Sequence, residues 1–317
     1  MSGKDATERL AGAAGVARAA QLLRDGGLVA LPTETVYGLA ARADSADAVA
    51  AIYRAKGRPS FNPLIVHLAS ADAAEELADF DDRARALAAR FWPGPLTMVL
   101  PVRETAKVAR AVMAGLPTIA LRVPAHPAMR MVLQESDLAL AAPSANRSGA
   151  VSPTRAEHVL ASLGGRIDAV LDEGPCERGL ESTIVALRDI DRPGGGWQVL
   201  RPGPIAAEDI AAVLGPSGDS VAAGVEAPGQ LASHYAPGKP MRLGAAASEA
   251  DEFHIGFGPV EGHCTLSAKG DLAEAAARLY DCLHEAASAG QKRIAVAPVP
   301  EGGIGAAIND RLRRAAS

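Results

Sequence analysis

Short apolar runs, each bounded by a polar loop that carries Pro or Gly, set the terms for this chain. Residues 28–31 close on Pro32, residues 64–68 follow Asn62-Pro63, and residues 96–100 follow Pro93-Gly94-Pro95. Residues 118–123 close on Pro124, and 138–142, 169–171, 182–187 and 197–200 repeat the pattern. Runs this short suit buried strands. Helical stretches intervene at 6–23, stopped by Gly26-Gly27, at 46–55, with Asp44 or Ser45 as N-cap, and at 83–91. A further helix start is predicted at Ser152-Pro153-Thr154-Arg155-Ala156-Glu157, where Pro stands early and Thr154 and Glu157 have capping-box spacing. Strands and helices in irregular order predict an α/β domain, partly antiparallel, over residues 6–214.

From 215 to 240 the composition shifts to Gly, Pro, Ser and Ala, as in a linker or a loop lying over the first domain. Beyond it, strand-like runs at 253–257 and 294–299 flank a helix on which Leu272, Ala276, Leu279, Leu283 and Ala286 share a face. With a last helix at 306–314, residues 241–317 read as a small parallel α/β unit. A length of 317 residues fits two domains at roughly 150 residues each. Aromatic residues are only 3%, so Ala, Leu, Val and Ile must build the cores.

Several chemistries are excluded. There is no GxxxxGK[ST] phosphate loop, no HExxH, no GxSxG and no strand-following GxGxxG. Cys176, Cys264 and Cys282 lie far apart without a CxxC, which argues against a zinc site or disulfide framework and fits a reducing cytoplasm. No apolar run approaches the ~18 residues that span a bilayer, and the polar, mixed-charge start does not read as a secretory signal. A net charge of −5 gives no overall footprint for nucleic acid.

What remains is a set of polar loops at strand ends, where open α/β sheets bind their ligands. Lys56, Arg58, Arg122, Arg147 and Arg201 bring cations, and Thr35, Asn62, Ser144, Asn146 and Ser182 bring neutral hydrogen-bonding groups. Such a set suits a polyanion, because guanidinium matches phosphate and carboxylate oxygens. Fixed cations without a covalent nucleophile are the usual equipment of phosphoryl and nucleotidyl transfer. Taken singly, each residue also has a plainer reading: a surface charge, a turn cap or a satisfied core histidine.

Six motifs in register resemble the threonylcarbamoyl-AMP synthase family. They are Leu31-Pro32-Thr33-Glu34-Thr35-Val36-Tyr37-Gly38-Leu39, Lys56-Gly57-Arg58-Pro59 with Asn62-Pro63-Leu64, Pro93-Gly94-Pro95-Leu96-Thr97, Leu121-Arg122-Val123-Pro124, Pro143-Ser144-Ala145-Asn146, and Ser182-Thr183-Ile184. Ser233-His234-Tyr235-Ala236-Pro237 and Asn309-Asp310-Arg311-Leu312 are similar to the long, two-domain form. One departure, Ala40 where many relatives carry Gly, touches no chemistry.

The resemblance implies a YrdC-like twisted mixed sheet with flanking helices, followed by a small Rossmann-like C-terminal domain. It implies the synthesis of L-threonylcarbamoyladenylate and pyrophosphate from L-threonine, bicarbonate or CO₂, and ATP. The product would pass to a transferase that modifies tRNA. By similarity, Lys56 and Arg58 serve the chemistry, and Thr35, His67, Arg122, Ala142 and Ser182 line the threonine side. Arg58, Asn62, Thr118, Ser144, Asn146, Ser152 and Arg201 line the nucleotide, with Tyr235 reaching back from the linker as part of a lid. Mg²⁺ is expected with ATP, held by phosphate oxygens and water rather than by a protein metal site. Arg311, Arg313 and Arg314 read either as a weak tRNA contact or as cations at a helix C-terminus. The alternatives are an RNA-binding, ribosome-maturation module and a carbamoyl-phosphate-dependent carbamoyltransferase. Net charge argues against the first, and the lack of accompanying zinc-finger or acylphosphatase-like segments against the second.

Overall fold

The computed structural model describes residues 6–188, 196–217, 226–229 and 234–317. Parts of the 215–240 segment, including Ser233, therefore lie outside the described residues.

The first unit opens with β1 (Glu8–Leu10), α1 (Gly12–Arg24), β2 (Val29–Leu31), β3 (Gly38–Arg42) and α2 (Ala46–Lys56). It continues through β4 (Ile65–His67), α3 (Ala71–Glu75), α4 (Asp82–Phe91), β5 (Leu96–Pro101) and a 3-10 turn at Arg110–Val112. Then come β6 (Thr118–Arg122), α5 (Pro127–Ser136), β7 (Leu140–Ala141), α6 (Ala156–Leu163) and β8 (Ala169–Leu171). β9 (Thr183–Leu187), β10 (Trp197–Arg201) and α7 (Ala207–Leu214) complete it. Its strands form one ten-stranded mixed sheet in the order β1-β8-β2-β3-β7-β4-β6-β5-β9-β10. The second unit comprises β11 (Met241–Leu243), β12 (Glu252–Gly256), β13 (Cys264–Thr265), α8 (Leu272–Ser288), β14 (Arg293–Val296) and α9 (Ile304–Ala315). Its four strands are all parallel, in the order β11-β14-β12-β13. Among the described residues no helix is long and apolar enough to cross a membrane.

The mixed sheet and the small parallel unit are those the sequence predicts, with local differences. The helix read over 6–23 begins only at Gly12, whose φ of +62° breaks the chain after an edge strand. That strand is charged, with Arg9 held by Asp172 and Glu157, so no apolar run announces it. β3, α3, α5, α7, β11 and β13 are additional to the reading. Ser45, not Asp44, caps α2, accepting from the Ala48 amide at 3.3 Å. The capping box expected at Thr154 does not form: α6 starts at Ala156 behind Arg155, without a side-chain cap. The Thr154 hydroxyl instead donates to Asp281 of α8 at 2.6 Å.

That bond is one of several between the units. Arg155 pairs with Asp281 at 2.6 Å, His158 stacks on His284 with ring centroids 3.8 Å apart, and the Ala150–Ala236 bridge joins the linker to the first unit. Arg311, read either as a weak tRNA contact or as a cation at a helix C-terminus, is fully buried and bound to Glu181, Asp310 and the Pro202 carbonyl. Its neighbours Arg313 and Arg314 pair with Glu301 and Asp310. The apolar side of α9 faces the small core, and Arg311 leaves it to reach the first unit.

Candidate active site

Sheet register brings the polar loops together. β4 and β6 run parallel with His67 opposite Arg122, so both side chains stand at the same strand ends. β5 and β9 run parallel with Leu96 opposite Thr183, which places Gly94 and Ser182 beside that edge. Gly38, opening β3, bridges to Ser144 after β7. These ends enclose a cavity of about 40 Å³. Thr33, Thr35 and Val36 form one wall, Arg58, His67 and Arg122 another, and Ala142, Pro143 and Ser144 a third. Glu181, Ser182 and Arg201 make the floor, while Pro228, Gly229, His234 and Tyr235 of the 215–240 segment lie over it.

Three buried guanidinium groups converge here. Arg122 donates from Nη2 to Glu34 Oε1 at 2.6 Å, from Nη1 to Thr35 Oγ1 at 3.0 Å and from Nε to the Gly94 carbonyl at 3.2 Å. Arg201 holds the Ser182 carbonyl from Nε at 3.1 Å and from Nη2 at 2.9 Å, and Nη2 also reaches Ser182 Oγ at 3.1 Å. Arg58 holds the carbonyls of Asn62 and Pro63. Burial pulls Arg58 down to about 10, below the usual arginine range, because a charge removed from water is disfavoured. Carbonyl and hydroxyl oxygens, and for Arg122 a carboxylate, fix the orientation of each group.

His67 adds an uncharged partner. Burial, reinforced by Arg122, pushes it down to about 3, so the ring is neutral, and its Nδ1 has no hydrogen-bond partner among the described residues. The Tyr235 hydroxyl is likewise buried and unpartnered. Such groups lose free energy unless a ligand satisfies them. Ser182 and Thr97 share a hydroxyl pair at 2.7 Å, which fixes the Ser182 side chain.

Of the residues proposed from sequence, Thr35, Arg58, His67, Arg122, Ala142, Ser144, Ser182, Arg201 and Tyr235 line this one cavity. Five do not. The Lys56 ammonium lies behind the wall, donating to the carbonyls of Ser144 and Asn146 and to Asn146 Oδ1. Asn146 is tied to the Ala150 carbonyl, and Ser152 donates to Glu181. Asn62 is buried, its carbonyl accepting from Arg58 and from the Tyr53 hydroxyl. Thr118 opens β6 opposite Pro101, at the far end of the strand from Arg122. Four residues of extended chain separate them by roughly 13 Å.

Sequence reasoning missed the two carboxylates of the site, Glu34 and Glu181. Burial works to raise the Glu34 carboxyl, but the Arg122 charge and its hydrogen bond outweigh this and hold it below the ordinary value. Burial is likewise outweighed at Glu181, which Arg311 and Arg201 bring down to about 2. The available signal was an acid inside each of two binding motifs, Glu34 in 32–38 and Glu181 beside Ser182-Thr183. Among the described residues no group of three or more His, Cys, Asp or Glu stands together to hold a metal ion. Glu181, in the lining, and Glu34, outside it, are each tied to an arginine and do not make a metal cage.

Known proteins share both the fold and this arrangement of units. A family model described as "Telomere recombination" matches residues 21–203, and one described as "Threonylcarbamoyl-AMP synthase, C-terminal domain" matches residues 205–317. The threonylcarbamoyl-AMP synthase of Bacillus subtilis (strain 168) is 42% identical, over 95% of this chain and 92% of its own length. That of Pyrococcus abyssi (strain GE5 / Orsay) is 39% identical, over 94% of this chain and 92% of its own. The crystal structure of P. abyssi Sua5 complexed with L-threonine superposes with a TM-score of 0.87 at 36% identity, covering 98% of this chain and 97% of that one. Likeness of this extent through both units places the chain in the threonylcarbamoyl-AMP synthase family.

Proposed function

We propose that the chain makes L-threonylcarbamoyladenylate from L-threonine, bicarbonate or CO₂, and ATP, releasing pyrophosphate, and that the cavity above is where it does so. One observation carries the assignment of the site. Arg58, Arg122 and Arg201, distant in sequence, meet with neutral hydroxyl and imidazole groups in a single hollow.

The reaction joins two anions, and the residues suit that task. The amine of threonine adds to the carbon of CO₂ and loses a proton, giving a carbamate. A carbamate oxygen then bonds to the α-phosphorus of ATP as the bond to the pyrophosphate oxygen breaks. Nothing here needs a protein nucleophile; the requirements are charge neutralisation and positioning. Arg122 takes the threonine carboxylate, Thr35 and Ser182 flank it, and neutral His67 offers Nδ1 as a hydrogen-bond partner. Arg58, Arg201 and Ser144 face the phosphates, with Lys56 fixing the loop that carries Ser144. Mg²⁺ arrives as the counter-ion of ATP, held by phosphate oxygens and water.

Pro228, Gly229, His234 and Tyr235 act as a cover that opens for substrates to enter. Closed, it excludes water from a carbamate that readily loses CO₂. The product then goes to a transferase that modifies tRNA.

Purified protein incubated with ATP, bicarbonate and threonine is expected to release pyrophosphate in a threonine-dependent way, and more weakly with serine. Release that ignores threonine, or no release, defeats the proposal.

A further inference from the structure

We infer that Glu181 is a positioning residue of this site, the point at which the C-terminal unit sets Ser182 and Arg201 in place. This rests on the reaction proposed above and goes beyond it. Glu181 Oε1 accepts from the Ser152 hydroxyl at 2.6 Å; Oε2 accepts from the Tyr280 hydroxyl and from Arg311 Nε, both at 2.8 Å. Tyr280 lies on α8 and Arg311 on α9, and both are fully buried. One carboxylate on the cavity floor is thus held from two helices of the other unit. The linkage continues: Arg311 Nη2 donates to the carbonyl of Pro202 at 2.9 Å, next to Arg201. Arg201 in turn grips Ser182, the neighbour of Glu181. The Arg311 guanidinium also sits 5.3 Å from the ring centroid of Tyr235.

Charge makes the arrangement exacting. Arg311 has no exposure, and its Nη1 pairs with Asp310 while its Nε depends on Glu181. Without the Glu181 carboxylate, two buried guanidiniums, Arg311 and Arg201, face each other with less compensation, and the floor that presents Ser182 must shift. Docking alone does not need this carboxylate on the cavity floor. A second inter-unit contact, Asp281 with Thr154 and Arg155, lies outside the lining of the cavity and serves as its control.

The test compares Glu181→Gln, Arg311→Lys, Tyr280→Phe and Asp281→Asn in the full chain. Threonine-dependent pyrophosphate release gives KM for threonine and ATP separately from kcat, and a thermal midpoint is read for each variant. The expected result for Tyr280→Phe, which removes one buried hydrogen bond to a charged group, is a rise of about tenfold in KM beside a midpoint loss no greater than that of Asp281→Asn. Arg311→Lys should retain part of the function by keeping the charge, and Asp281→Asn should lower the midpoint while leaving both KM values near wild type. Folded Tyr280→Phe and Glu181→Gln with wild-type KM values would overturn the inference. Should Glu181→Gln fail to fold, Tyr280→Phe decides alone. A wild-type chain that releases no pyrophosphate defeats the underlying reaction, and this inference with it, whereas an active wild type with unmoved variants defeats only this inference.

Discussion

Arg122 and Glu34 form an ion pair on the wall of the cavity, with Nη2 2.6 Å from Oε1 and both side chains less than a tenth exposed. The pair costs desolvation on both sides, so its use lies in orientation: Glu34 also accepts from the Ala125 amide, which anchors the carboxylate and aims the guanidinium. Removing one partner strands the other. Glu34→Ala is expected to destabilise the fold by about 3 kcal/mol and to raise KM for threonine more than KM for ATP. Urea denaturation and steady-state kinetics check both, and an unchanged threonine KM would show that Arg122 needs no such partner.

Lys56 is expected to act through the loop it holds. In Lys56→Met the carbonyls of Ser144 and Asn146 lose their donor, at about 1–3 kcal/mol for each group left buried. ATP affinity should fall with the thermal midpoint, while threonine affinity changes little. Calorimetric titration of the two ligands distinguishes this from a direct contact, for which ATP affinity would fall without a loss of stability.

Gly203 tests how closely the floor is packed. A Cβ there would stand 2.4 Å from the Thr183 amide nitrogen and 2.7 Å from the Glu181 carbonyl oxygen, all backbone atoms that cannot swing away. Gly203→Ala is therefore predicted to lower the midpoint and to raise both KM values, because the loop after β10 must move away from the 181–183 backbone that presents Ser182. A midpoint equal to wild type would show that the approach is looser than described.

Buried histidines shape the acid side of the stability profile: burial lowers His126, His158 and His284, and lowers His67 and His234 further than His158. Burial pushes His67 and His234 down to about 3. Above the ordinary histidine value of about 6.5 neither binds a proton in the folded or unfolded chain, so neither contributes a slope. Below it the unfolded chain takes up protons that the fold refuses, and stability falls by about 1.4 kcal/mol per pH unit for each histidine. Glu181, depressed to about 2, adds its loss only below the ordinary carboxylate value. Thermal midpoints should decline from pH 6.5 to 5.5, and His67→Asn should flatten the decline. A flat profile across that window would mean these histidines are not held neutral.

The loops that form the site were legible because each follows or precedes an apolar run bounded by Pro or Gly, as at residues 64–68 and 118–123. The resemblance then ordered them into one site. β3 was not legible: Gly38-Leu39-Ala40-Ala41-Arg42 carries small residues without alternation, and its partners β2 and β7 define it. β1 was hidden by its charges. Glu34 and Glu181 read as ordinary loop acids, since what buries them lies 88 and 130 residues away in Arg122 and Arg311. Arg311 was misread for the same reason: on a helix end rich in arginine, nothing local marks one of three as interior. Thr118 was carried over with its motif, although strand length sets it at the other end from Arg122.

The proposed cover has a thermodynamic corollary. With a cover that rests closed, substrates bind only in the fraction of time it spends open, and a measured dissociation constant is the intrinsic one divided by that fraction. Trimming Tyr235 would remove a nucleotide contact together with part of the cover, so ATP affinity and product yield should fall together.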